Sequence, residues 1–123
     1  MTALQARISK KLRSIGIGCG LKGARCLATA IELVYNDPDY YLGAITKRLY
    51  PKVALVHSDT VSRVERSIRH TIERAYTTVG EDIIAATLGC PCSLNTRKLA
   101  NGGFIFAVAE VMSCEDAIDN KKL

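Results

Sequence analysis

Proline is scarce in this chain, three residues in 123, and acidic residues are missing altogether from the first 31. No apolar stretch approaches the roughly 18 residues that a membrane-spanning helix needs. Arg7, Lys10, Lys11 and Arg13 interrupt the N-terminal segment where a secretory leader would carry its unbroken apolar core. The five cysteines (Cys19, Cys26, Cys90, Cys92 and Cys114) are odd in number and contain no C-x-x-C pair, which argues against a disulfide framework. Most are expected as small buried hydrophobes. Cys90-Pro91-Cys92, even with His57 and His70 elsewhere, lacks the paired spacing of a zinc site, so no metal and no cofactor are expected. There is no internal repeat and no low-complexity linker. These absences leave a cytoplasmic globular protein without a membrane partner as the expectation.

A chain of this length forms one domain, residues 1–123, able to bury roughly two thirds of the surface its unfolded form exposes. The net charge of +5 is unevenly spread: residues 1–31 carry six cations and no acid, 61–101 carry six cations against four acids, and 102–123 carry two against four. Such asymmetry suits an anionic partner, with nucleic acid foremost. Long stretches show a 3.6-residue period, which predicts an all-α fold, a compact multi-helix domain. A first helix is expected over 3–15 with Leu4, Ile8, Leu12 and Ile15 on one stripe. A second runs from Lys22 to Asn36, with Leu27, Ile31, Val34 and Tyr35 inward, and Asn36-Asp37-Pro38 stops it. A third is expected over about Tyr41–Leu49, then a short helix from Pro51 to near His57, and a long one over about 60–77 capped by Asp59 or Thr60. Glu81-Asp82 open a further helix that Gly89 closes. After an irregular stretch over 90–101, the run Phe104-Ile105-Phe106-Ala107-Val108-Ala109 fits a buried strand as well as a helix.

Gly18-Cys19-Gly20-Leu21-Lys22-Gly23 spells the expression of a dinucleotide-binding turn. That chemistry needs a strand before the glycines, a returning parallel strand after the helix, and an acid about twenty residues on. Here an amphipathic helix precedes the glycines and no parallel strand follows, so the match is read as accidental and no enzyme or catalytic residue is expected.

Thr60 to Tyr76 is the informative segment. At 100° per residue, Val61, Val64, Ile68, Ile72 and Ala75 share one face, while Ser62, Arg63, Arg66, Arg69, His70 and Glu73 fan across the other. With the short helix and the polar break His57-Ser58-Asp59 before it, the segment has the proportions of a helix-turn-helix. Such a helix presents its leading turns to the major groove, where Arg can donate twice to guanine and Glu can accept from cytosine N4. Glu65 and Arg66 sit on those turns; Ser62, Arg63 and His70 flank them within reach of phosphates. On the residues alone, arginines that merely solvate the helix and pair with Glu65 or Glu73 remain an equal alternative.

Val34-Tyr35-Asn36-Asp37, Leu42-Gly43-Ala44-Ile45-Thr46-Lys47, Leu49-Tyr50-Pro51 and, most specifically, Ser62-Arg63-Val64-Glu65-Arg66-Ser67-Ile68-Arg69-His70-Thr71-Ile72-Glu73 resemble the C-terminal effector domain of the stage-zero sporulation response regulator family over about residues 8–112. The resemblance implies a transcriptional regulator that binds double-stranded DNA at TGTCGAA-like boxes, often in tandem as a homodimer. It places Glu65, Arg66 and Arg69 at base edges and Ser62, Arg63 and His70 at the backbone. The loop before the last helix contributes Lys98 and Asn101, and Thr60 and Lys47 complete the candidate phosphate set. It also implies a contact with RNA polymerase sigma factor through Gly80–Gly89. The family couples this domain to an N-terminal receiver; none is expected here, since the sequence opens on its own methionine. A second reading stays open. Leu99 and Ala100 stand where the family carries a proline and a hydroxyl, and the same fold without specific DNA binding could modulate a full-length homologue or the sigma factor.

Overall fold

The computed structural model describes residues 1–18, 20–89 and 99–121. Thr2 starts the first helix, α1 (Ala3–Ser14), with a reciprocal cap: its hydroxyl accepts from the Gln5 N–H at 3.0 Å, and the Gln5 side-chain oxygen accepts from the Thr2 N–H at 3.0 Å. Ile8, Leu12 and Ile15 are buried as the stripe requires. The second helix, α2 (Lys22–Asn36), has the bounds its period gave, and Pro38 blocks its continuation and opens the single turn α3 (Pro38–Tyr41). Tyr35 is only half-buried. Its ring lies at the rim of the core and its hydroxyl donates to Asp116.

The expected helix over 41–49 is not there. Leu42 is extended and Gly43 sits at φ +70°, a conformation that costs most residues a steric clash and costs glycine little, so the chain turns between Tyr41 and Ile45. A wide π-type turn, Ile45–Leu49, comes next, in which the Leu49 N–H reaches back to the Ala44 carbonyl at 3.1 Å. It runs directly into α4 (Tyr50–His57), with Pro51 in the first turn where its missing N–H is harmless.

Ser58 ends α4 in the left-handed region (φ 52°, ψ 50°), and the Asp59 N–H closes the end by donating to the Ala54 carbonyl at 2.9 Å. Thr60 then caps α5 (Val61–Thr78), its hydroxyl accepting from the Arg63 N–H at 3.2 Å. The short helix α6 (Glu81–Thr87) succeeds it, with Glu81 and Asp82 at its positive end. The apolar run at 104–109, ambiguous by period, lies within a 21-residue helix, α7 (Asn101–Lys121).

Helix α2 is the hub: it packs on α1, α4, α5 and α7. One continuous core joins them, in which Phe104, Leu27, Ile31, Ile68, Leu49 and Ile105 are fully enclosed. Ile105, Val108 and Met112 are core rather than a free face. Gly23 permits a close approach of two helices. A Cβ there would stand 2.5 Å from the Ser67 carbonyl oxygen of α5, so α2 and α5 meet nearly backbone to backbone. That packing accounts for one glycine of the Gly18–Gly23 run without any nucleotide, and no strand precedes it among the described residues. Of the cysteines, Cys26 is buried as expected and Cys114 is exposed; Cys19, Cys90 and Cys92 lie outside the described residues. No helix among the described residues is long and apolar enough to cross a membrane.

Candidate nucleic-acid interface

The inner face of α5 is fixed by Val64, Ile68, Ile72, Ala75 and Tyr76, all buried, with Val61 partly so. The 100° step then assigns the outer face without further choice. Arg66 stands at its middle, Ser62, Arg69 and Glu73 on the side toward α7, and Arg63, His70 and Arg74 on the side toward α2. All seven are exposed, whereas Glu65 lies at the margin, half-buried.

Their electrostatic states differ. The Glu65 Oε1 accepts from the Arg69 guanidinium one turn on, and Glu73 approaches the same guanidinium at 3.8 Å from the other side. Arg69 is thus flanked by two acids at helical spacing, the arrangement expected of a solvated helix. Among the described residues Arg63 has only a distant carboxylate, Asp59 at 3.9 Å, and is itself 74% exposed. Arg66 has no acidic partner among the described residues. The bland and functional alternatives therefore divide by residue: pairing occupies Arg69 and leaves Arg66 open.

Asp59 organises the turn. Its side chain is 4% exposed, pairs with Lys22 of α2 and accepts the Thr60 N–H at 2.8 Å. The Lys22 ammonium, then the Thr60 N–H, holds this carboxyl below the usual carboxylate range. His57, at the end of α4, meets the Thr29 hydroxyl at 2.8 Å. The turn that aims α5 is thereby tied to α2 from both sides.

A cleft of about 830 Å³ separates the π-type turn, the leading half of α5 and the start of α7. Asn101 spans its floor. Its amide donates to the Tyr50 hydroxyl at 3.0 Å and to the Glu65 carbonyl at 3.1 Å, so both amide hydrogens are used within the protein. Burial pushes the Tyr50 hydroxyl up, which keeps it protonated. Sequence reasoning placed Asn101 at phosphates; as folded, that side chain offers an anion only an acceptor oxygen. Asn101 and Tyr50 instead join the starts of α7 and α4 to the leading turns of α5. No periodic signal marks Tyr50 for this role, and in the sequence it stands out only as part of the Leu49-Tyr50-Pro51 motif. Leu99 enters the same joint through its N–H, which donates to the Tyr76 hydroxyl at 3.0 Å.

Of the remaining candidates, Lys47 is exposed on the π-type turn, and Thr60 is exposed with its hydroxyl engaged in the cap. Lys98 lies outside the described residues. The structure brings Glu65, Arg66, Arg69, Ser62, Arg63 and His70 onto one helix face, with Lys47 on a neighbouring element.

A family model described as the sporulation initiation factor Spo0A C terminal matches residues 8–112. The chain belongs to that family, whose domain is the DNA-binding effector of a sporulation regulator.

Proposed function

From this membership and the state of α5, we propose that the chain is a sequence-specific regulator that binds duplex DNA, with α4, the Ser58–Thr60 turn and α5 working as a helix-turn-helix. The observation that carries the reading is Arg66: central on the outer face of α5, exposed, and free of any acid among the described residues. A guanidinium held this way has its fork of donors available for guanine O6 and N7 in a major groove. Glu65 stands one residue before it. Its Oε1 is taken by Arg69, and its second oxygen remains to accept from cytosine N4. The two neighbours would together read the CG step of a TGTCGAA-like box, while Arg69 positions the Glu65 carboxylate and turns its remaining donors toward base edges.

Thr60, Ser62, Arg63, His70 and Lys47 surround this pair and supply the phosphate contacts that set register without reading sequence. Asn101 is assigned a positioning role, since its donors are spent. The turn is pre-set by Asp59, so little ordering is left to be done on binding.

Gel-shift titration with a box-containing duplex and a scrambled control tests this at stated salt. Arg66→Ala is expected to cost about 1–3 kcal/mol on the box and to relax preference at one guanine. Equal losses on both duplexes would remove Arg66 from base reading. Tandem against single boxes, titrated the same way, reads whether two copies assemble on DNA.

A further inference from the structure

Gly23 has a packing reason to be glycine; Gly18 and Gly20 have none inside the fold. Among the described residues a Cβ on either would meet nothing within 4 Å, and Gly18 does not adopt a positive φ. Facing Gly18 across a cleft of about 300 Å³ lies one edge of α5, with Ser67, His70, Thr71 and Arg74. Among the described residues no acid lines this cleft, whereas the cleft along the opposite edge of α5 carries Glu65 and Glu73 beside Arg69. The two edges of one helix are therefore electrostatically unlike.

Arg63, His70 and Arg74 succeed one another at spacings of seven and four, which puts them in a line along this edge. At 1.5 Å per residue the line is about 16 Å long, enough to track several phosphates of one strand. Arg74 is exposed and has no acidic partner among the described residues; the carboxylate nearest Arg63 is Asp59, already paired with Lys22. A guanidinium matches a phosphate in a two-point contact, and a backbone without a side chain lets a phosphate wall come close.

We propose that the phosphate contacts given above to Arg63 and His70 continue along this edge to Arg74, which grips the same strand of duplex DNA against the bare backbone at Gly18. It rests on the reading of α5 as the helix that faces DNA, and it adds Arg74 and Gly18 to that interface. Contacts here are blind to sequence, so they strengthen binding to every duplex equally and add to its salt dependence.

The test titrates the full chain with box and scrambled duplexes over a series of salt concentrations. Each lost phosphate contact should reduce the slope of log K against log salt by about 0.9. Arg74→Ala is expected to show that reduction on both duplexes, with their affinity ratio unchanged, and Arg74→Lys to restore the slope. Gly18→Glu starts from a Cβ in open space, so an unchanged melt is expected; its carboxylate should weaken both duplexes, most at low salt. A slope for Arg74→Ala equal to that of the wild type, or undiminished binding by Gly18→Glu, overturns the proposal. Equal wild-type affinity for box and scrambled DNA would defeat the base-reading role of α5 instead, and the slopes on scrambled DNA would still decide this one.

Discussion

Where α1 meets α7, Arg7 clasps Asp116 with two nitrogens, at 2.6 and 3.1 Å, and Lys11 meets Glu115 at 2.6 Å. On the outer face of α5, Arg66 and Arg74 meet no carboxylate among the described residues. Counted along the chain, the first region looked the more basic, with six cations and no acid in 31 residues. Folding reverses the ranking. The acids of the last helix are laid on the cations of the first, and Lys22 is paired with Asp59, so half of that early charge serves the protein itself. A local charge excess thus marks an interface only after pairing across the fold has been subtracted.

The largest effect is expected where both regions share a scaffold. Gly23→Ala gains about 1 kcal/mol of helix propensity and drives a methyl against the Ser67 carbonyl, which as backbone cannot step aside. Overpacking wins, with a loss of about 3 kcal/mol in denaturant melts and a joint weakening of DNA binding. An unchanged melt would mean that α2 and α5 are less tightly set than their contact implies.

Asn101→Ala sharpens the comparison on the α5 side. It strands the Tyr50 hydroxyl and frees the start of α7 from α5, at a cost of about 1–2 kcal/mol in stability. If Asn101 positions the helix, the preference for box over scrambled duplex falls while the salt slope holds. A lowered slope with intact preference would instead return it to the phosphates. Thr60→Ala comes next, at about 1 kcal/mol for a lost cap, measured in melts, with Thr60→Ser expected to recover most of it.

Much of the fold is legible in the sequence because it is local. The stripes of α1, α2 and α5, the Thr60 cap and the outward fan on α5 follow from spacing alone. Three things are not. The 41–49 helix fails at Gly43, where one residue's conformation outweighs a plausible period. The run at 104–109 is apolar on every side at its middle, so period could not separate strand from buried helix. The pairing of Arg7 with Asp116 and the tie from Asn101 to Tyr50 span 109 and 51 residues, distances over which sequence pattern carries no register.

The smallest effect bears on the seam. Asp116 accepts from the Tyr35 hydroxyl and then from Arg7, and both hold its carboxyl below the usual range. A carboxyl lowered by folding contributes its full stability above the unfolded value, near 3.9, and loses it as pH falls through the lower folded value. Asp116→Asn should therefore cost under about 1 kcal/mol at neutral pH, as for a partly exposed pair, with the gap from wild type constant down to about pH 5 and closing below 4. Asp59, also lowered, titrates in both proteins and cancels from the difference. Binding to both duplexes should stay at the wild-type level, because the seam's charges are spent on each other. If Asp116→Asn instead tightened binding and steepened the salt slope, Arg7 released from its partner would be reaching DNA, and the division between a self-paired seam and an open α5 would have to be redrawn.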